Sequence, residues 1–248
     1  MDHVQVYDSR SEAYEHAFAV FLAHTNQKET MDKCLQNIIA NLPRKHTLID
    51  AGAGEGKATR RLAPLFQHTT AIEPNPFLYQ LLKAAIPQAT LIDKIITEAN
   101  PHTKGDLVLC SHTLYYIAKE EWLTNLERLV SWMSPQGKTI VVLQNKNTDC
   151  MKMLDHFHHR HFDLSQLAET FTQKYNKKFN VNIECIEAHV ETQDFTSAYT
   201  IAEFMLNLLP IKSPPTKTEF ESYIQTHLKQ GNGYRFSCNQ DILQISSL

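Results

Sequence analysis

Three glycines spaced two apart, Gly52, Gly54 and Gly56, follow a short apolar run, Leu48-Ile49, that ends in Asp50. The chemistry such a turn permits is close approach. With no Cβ in the way, a ligand can lie against main-chain N–H groups, and the helix-forming stretch Lys57-Ala-Thr-Arg-Arg-Leu-Ala would aim its first amides at the same place. A second apolar run, Thr70-Ala-Ile, ends in Glu73 and Pro74. An acid at the end of the next strand is placed to accept from the two hydroxyls of a ribose. A third run, Asp106 to Tyr116, begins with an acid, stays apolar, and ends in Cys110, Ser111, His112 and the aromatic pair Tyr115-Tyr116. A histidine there can orient a nucleophile or take its proton. The cofactor-binding set predicted from these three segments is Asp50, Gly52, Gly54, Gly56, Glu73, Pro74, Cys110 and Ser111, with His112 as the catalytic group.

These residues need a scaffold that brings strand ends together, and the sequence supplies one. Strands are predicted at about 46–50, 68–72, 89–92, 106–111 and 138–143, with helices at about 55–66, 76–86 and 119–132 between them. Such alternation implies a parallel sheet with right-handed crossovers, which binds ligands at the carboxyl ends of its strands. Upstream, residues 8 to 41 read as two helices: Tyr14, Phe18, Phe21 and Leu22 recur at helical spacing, a break follows at Thr25-Asn26-Gln27, and Met31, Leu35, Ile38 and Ile39 resume the pattern. Downstream, 150 to 175 reads helical, Phe179 to Ile186 strand-like, and 198–209 and 217–229 helix-like, with Gly231-Asn-Gly233 leading to a final hairpin. Three regions are expected: a helical cap over 1–41, a cofactor-binding core over 42–148, and C-terminal strands with an accessory substrate-covering part over 149–248.

Composition narrows the function classes. With 248 residues and 42% apolar content, the chain is long enough for a substantial core and too apolar for disorder. No apolar run approaches the ~20 residues of a membrane span, and the N-terminus lacks the basic and apolar parts of a signal peptide. A cytoplasmic monomer without a membrane partner is the expectation. Five scattered cysteines, Cys34, Cys110, Cys150, Cys185 and Cys238, show no paired spacing, which reads as reduced thiols. A net charge of −3 without a basic block leaves no footprint for nucleic acid, so the partner is expected to be a small molecule. The cluster His156-Phe-His158-His159-Arg-His161 admits metal binding, if two histidines share a helix face, or a solvated helix; no metal is assigned to it.

The glycine turn alone is compatible with a nicotinamide enzyme, although Lys57 stands where that fingerprint wants its third glycine. The pattern D-x-G-x-G-x-G closing one strand, with an acid closing the next, resembles instead the S-adenosylmethionine site of class I methyltransferases, and Met133-Ser-Pro-Gln-Gly resembles the turn before their fifth strand, with Gln136 in place of a glycine. The resemblance implies an α/β fold, a doubly wound Rossmann-like sheet with N-terminal helices and a C-terminal accessory α+β region. It places the acid matching Asp50 near the methionine part of the cofactor and the acid matching Glu73 on the ribose.

A narrower resemblance, to histamine N-methyltransferase and its relatives, runs through Tyr14, Phe18 and Phe21-Leu22-Ala-His24-Thr25, then Leu114-Tyr115-Tyr116-Ile117, and loosely Arg235 to Asn239. It implies methyl transfer to a nitrogen of an amine or imidazole-type compound, with Tyr14, Phe18, Gln27, His112, Tyr115 and Asn239 on the substrate. Two positions depart from the family: Gln27 replaces a glutamate and His112 a glutamine. From spacing alone, Tyr14 and Phe18 also read as core packing, Gln27 as an exposed turn residue and His112 as a satisfied strand-end histidine. An O-methyltransferase and a cofactor-binding protein without turnover are the alternative functions.

Overall fold

The computed structural model describes residues 2–8 and 11–248; Ser9 and Arg10, which the sequence reading put in the N-terminal helices, lie outside the described residues. In chain order the elements begin with α1 (Glu12–His24), α2 (Gln27–Ala40), β1 (Thr47–Ala51), α3 (Lys57–Leu62), β2 (His68–Ile72), α4 (Pro76–Ala85), β3 (Thr90–Ile92) and β4 (Gly105–Ser111). There follow α5 (Trp122–Ser131), β5 (Met133–Gln144), α6 (Asp149–His158), α7 (Leu164–Lys174), β6 (Phe179–Ile186) and β7 (His189–Thr192). The chain ends with α8 (Phe195–Leu206), α9 (Lys217–His227), β8 (Lys229–Gln230), β9 (Gly233–Ser237) and β10 (Gln240–Ser247). Two compact units result, one from residues 1–34, 144–163 and 185–240, the other from 35–143, 164–184 and 241–248.

The second unit carries a seven-stranded sheet in the order β3-β2-β1-β4-β5-β10-β6. β1 pairs in parallel with β2 on one side and β4 on the other, so strand order reverses between β1 and β4, where open α/β sheets bind ligands. Strands covered on both faces should be apolar at their centres, and β1 and β4 are: Leu48, Ile49, Leu107, Val108 and Leu109 are fully buried. β10 runs against its neighbour β6, since the Leu248 N–H donates to the Lys178 carbonyl where one strand ends and the other begins. A mostly parallel sheet flanked by helices is the expected Rossmann-like fold.

The structure revises several local expectations. Met133 to Gly137 is not a turn but the irregular start of β5, opposite Gly105, with a register shift before Leu107 pairs with Lys138. Gly137 is needed there because a Cβ would lie 2.6 Å from the Gly105 carbonyl oxygen. The helix predicted at 55–66 is the short α3 followed by a single 3₁₀ turn over Ala63–Leu65, where Pro64 removes a backbone donor. The stretch 150–175 is two helices, because His159 turns left-handed at φ 53 and caps α6. The hairpin expected at Gly231-Asn-Gly233 is the antiparallel pair β8 and β9, joined through Gly231 and Asn232, but β10 does not extend it and instead enters the large sheet, where Ile242, Leu243 and Ile245 are buried.

In the first unit the three-stranded sheet β7-β9-β8 accompanies α1, α6, α8 and α9. β7 has no counterpart in the sequence reading, being only four residues long. Side-chain oxygens start the helices: Ser11 accepts from the Tyr14 N–H, Asp194 from Ser197, and Thr216 forms a capping box with Glu219. α1 packs on α8 through Phe204, whose ring centroid lies 5.5 Å from each of Tyr14, Phe18 and Phe21.

Candidate active site

At the carboxyl ends of β1 and β2 the glycine turn is stapled to its neighbour strand. The N–H groups of Gly52 and Ala53 both donate to the Ile72 carbonyl, at 2.8 and 3.0 Å. All three glycines have positive φ, 72° for Gly52, 58° for Gly54 and 85° for Gly56, a region L side chains resist. Their surroundings differ. A Cβ on Gly52 would sit 2.2 Å from Thr113 Oγ1, and one on Gly56 would sit 2.8 Å from Leu82 Cδ1, so these two glycines make room for the protein itself. Only Gly54 faces open space, with nothing within 4 Å of an added Cβ. Of the three glycines, Gly54 is therefore the one whose backbone is open to an approaching group, while Gly52 and Gly56 are crowded by Thr113 and Leu82.

Glu73 is the companion of that opening. Its Oε2 accepts the Gly54 N–H at 2.8 Å and its Oε1 accepts the Asn75 N–H at 2.9 Å, which fixes the carboxylate between turn and strand. Each oxygen retains a further lone pair, and a carboxylate only accepts, so the hydroxyls of a ribose are its natural partners. Asn75 also caps α4 through its Oδ1. Pro74, between them, is exposed. α3 has six residues and so supplies little dipole, and the N–H groups of Gly52, Ala53, Gly54 and Gly56 are all taken up within the protein.

Asp50, 2% exposed, closes β1 beneath the turn. Its pKa stands raised at about 6, because burial and, more weakly, the nearby Glu73 charge push it up further than Thr59 Oγ1, donating at 2.6 Å, pulls it down. On β4, burial drives the Cys110 thiol up to about 12 despite a bond with Thr113. Fully enclosed, Cys110 offers a ligand no thiolate, and it can contribute only main chain and shape. The open glycine, the fixed acceptor and the acid under the turn together fit a nucleoside carrying a cationic tail.

Beyond Ser111, His112 turns left-handed at φ 57, held by its N–H on the Val142 carbonyl. That turn brings its Nδ1 to 3.3 Å from the Tyr115 hydroxyl, with the rings stacked at 5.8 Å. The two groups predicted for the substrate side of β4 thus stand as one pair. Tyr116, which follows on the same turn, is 69% exposed.

The remaining predicted residues belong to the first unit. Tyr14 and Phe18 are half-buried, with rings stacked 6.4 Å apart on Phe204. Gln27 is not an exposed turn residue: at 5% exposure it opens α2 and donates Nε2 to the Cys238 carbonyl at 2.9 Å. A carbonyl there requires a donor, so the amide is oriented, and Oε1 has no protein partner among the described residues. Asn239 accepts the Ala188 N–H on Oδ1 at 3.0 Å, and its carbonyl accepts from Asn145. The histidine cluster is split, since α6 ends at His158 and neither His159 nor His161 continues its face. Among the described residues no group of three or more metal-ligating side chains is assembled.

Sequence reasoning missed Thr59, Asn75 and Thr113. Thr113 buttresses Gly52, and Asn75 follows the pinned acid as an Asn-Pro helix start, a signal present in the sequence.

A family model described as a methyltransferase domain matches residues 22–180, well over half of the chain. The chain belongs to that family. This methyltransferase has the fold of the class I S-adenosylmethionine-dependent enzymes, and solved structures share it at low identity. The YcgJ protein of Bacillus subtilis aligns with a TM-score of 0.61 at 12% identity, over 85% of this chain and 96% of its own. The N-methyltransferase NodS of Bradyrhizobium japonicum, in complex with S-adenosyl-L-homocysteine, aligns at 0.53 and 11%, over 87% and 86%. Precorrin 8w decarboxylase of Methanobacterium thermoautotrophicum aligns at 0.53 and 15%, over 88% and 90%. No curated protein matches this methyltransferase. No helix among its described residues is long and apolar enough to cross a membrane.

Proposed function

We propose that this methyltransferase moves the methyl group of S-adenosylmethionine to a nitrogen of a small amine or imidazole-type molecule. The observation that carries the reading is the pairing, on adjacent strand ends, of an open glycine beside a pinned carboxylate with a histidine–tyrosine couple: Gly54 and Glu73 on one side, His112 and Tyr115 on the other. When bound, the cofactor supplies an electrophilic methyl on a sulfonium. Glu73 holds the ribose hydroxyls, the Gly54 backbone lies against the ligand, and Asp50 stabilises positive charge from below the turn. His112 orients the acceptor nitrogen or takes its proton, and the Tyr115 hydroxyl fixes the ring. Rate comes mainly from holding nucleophile and methyl in line with water excluded.

Tyr14, Phe18, Gln27 and Asn239 are proposed as substrate contacts on the strength of the resemblance to the histamine N-methyltransferase branch. Gln27 Oε1, with Nε2 occupied, would accept a substrate N–H. A neutral acceptor suits a less basic ring compound better than an ammonium, so histamine should be a poor substrate. Gln27→Glu does not repair this, because it removes the donor to the Cys238 carbonyl and sets a carboxylate against it in a buried position.

The test is calorimetry with S-adenosylmethionine, S-adenosylhomocysteine and NAD, followed by turnover on a panel of amines, imidazoles and phenols. Cofactor binding with N-methylated ring products is the expected result. NAD binding, or products methylated on oxygen alone, would overturn the assignment. His112→Ala should lower kcat and leave cofactor affinity unchanged.

A further inference from the structure

The large sheet ends in β6, and strands at sheet edges leave a row of backbone donors and acceptors unpaired. Which residues own that row follows from the Lys178 carbonyl, which accepts the Leu248 N–H and therefore faces β10. By alternation the polar groups of Asn180, Asn182 and Glu184 also face β10, and those of Phe179, Val181 and Ile183 face outward. The side chains alternate too: Phe179, Val181 and Ile183 are half-buried on the α7 side, where Phe179 lies 5.6 Å from Phe171, while Asn180, Asn182 and Glu184 are exposed.

Natural edges are normally blunted by like charges, proline or bulges. This one is complementary to itself. An antiparallel copy centred on Val181 places Val181 opposite its counterpart as a hydrogen-bonded pair, Phe179 opposite Ile183, Asn180 opposite Asn182, and exposed Lys178 opposite exposed Glu184. Every outward-facing backbone group over this stretch then finds a partner, the half-buried apolar row is extended by an identical row, and two ion pairs form by symmetry. Neither Lys178 nor Glu184 makes an ion pair within the described chain.

We infer that β6 is a homodimer interface, in which two copies join their large sheets edge to edge through residues 178–184. The inference departs from the monomer expected from composition, and it does not depend on the substrate proposed above.

The test is sedimentation equilibrium of the full chain at micromolar concentrations, with circular dichroism confirming that each variant is folded. Wild type should be a dimer. Val181→Pro removes an N–H that faces outward and so spares the β6–β10 ladder, yet it should yield a monomer. Lys178→Glu and Glu184→Lys each turn two attractions into repulsions and should weaken association by about tenfold or more. Mixed together, these two variants should form a heterodimer of near wild-type affinity, because each restores the partner's missing charge. The reversals keep the proposal testable if Val181→Pro fails to fold. A monomeric wild type, a dimer indifferent to Val181→Pro in folded protein, or charge reversals that do not rescue one another would overturn it.

Discussion

Two buried aspartates, on adjacent strands, are treated in opposite ways. Asp50 ends β1 at the carboxyl edge of the sheet, with one hydroxyl donor and a second acid close by, and its pKa is raised to about 6. Asp106 begins β4 at the amino edge and accepts from the His46 N–H at 2.7 Å, the Thr47 N–H at 3.2 Å and the Ser134 hydroxyl at 2.9 Å. Burial pushes Asp106 up, but those three donors, helped by Arg44, more than offset it and leave the pKa lowered. The difference lies in the donors: the acid that staples strands is given them until its charge is satisfied, whereas Asp50 is left short of them, which is the pattern expected of the ligand acid proposed above.

The largest expected effect lies at the amino edge. Asp106→Ala strands three buried donors and should cost about 3–5 kcal/mol of stability, read from denaturant unfolding, while S-adenosylmethionine affinity in the folded fraction stays unchanged. Because the folded pKa is lowered, the Asp106 contribution is present above the unfolded value of about 3.9 and is lost as pH falls through the folded one. Wild type should therefore lose stability in acid more steeply than the variant. An Asp106→Ala protein of normal stability would mean that the three bonds are replaceable by water.

Asp50→Asn should do the reverse. The folded pKa of about 6 lies above the unfolded one, so the wild-type chain loses stability as pH rises from about 4 to about 6 and remains lower thereafter. The amide escapes this and should be more stable than wild type above pH 6, by up to about 3 kcal/mol, with the advantage vanishing near pH 4. Turnover should fall at the same time, since a neutral group no longer balances a cationic cofactor tail. Equal stability of the two proteins across pH 4–8 would remove the case that Asp50 is a ligand acid held at a cost to the fold.

The same contrast explains what could be read before the structure. β1 to β4 were legible because their apolar runs are short and end in punctuation, and so was the meeting of Asp50, Gly54 and Glu73 at one turn, because each closes or follows one of those runs. The start of β5 was not, since Pro135 and Gly137 look like a turn and only pairing against Gly105 makes them strand. The place of β10 was equally hidden, for no local signal says that a strand after a hairpin will pair elsewhere. At the site, the burial of Gln27 could not be read because its partner, the Cys238 carbonyl, is remote in sequence. That Thr113 and Leu82 crowd Gly52 and Gly56 was hidden for the same reason, since both are distant in sequence.

Glu73→Ala carries the comparison to binding. Removing a carboxylate that takes charge-assisted bonds from a ribose should lower cofactor affinity by roughly ten- to a hundredfold, or about 1.5–3 kcal/mol in calorimetry. The Gly54 and Asn75 N–H groups lose their acceptor, but they lie at the edge of an opening where water can replace it, so stability should change less than in Asp106→Ala. Wild-type affinity in Glu73→Ala would show that the pinned carboxylate serves only the turn.

The smallest effect on the fold, and the sharpest test of where the ligand lies, is Gly54→Ala. The added methyl meets no protein atom, so the cost is that of an alanine at φ 58, about 1 kcal/mol, or a few degrees in Tm. Gly52→Ala shares the positive φ but also drives its Cβ to 2.2 Å from Thr113 Oγ1, so it should be clearly less stable than Gly54→Ala. Binding should rank the other way once stability is discounted: Gly54→Ala puts its methyl where the cofactor must pass and should weaken S-adenosylmethionine binding in fully folded protein. A Gly54→Ala variant that binds the cofactor normally would move the site away from this turn, because no other glycine of the three has open space above it.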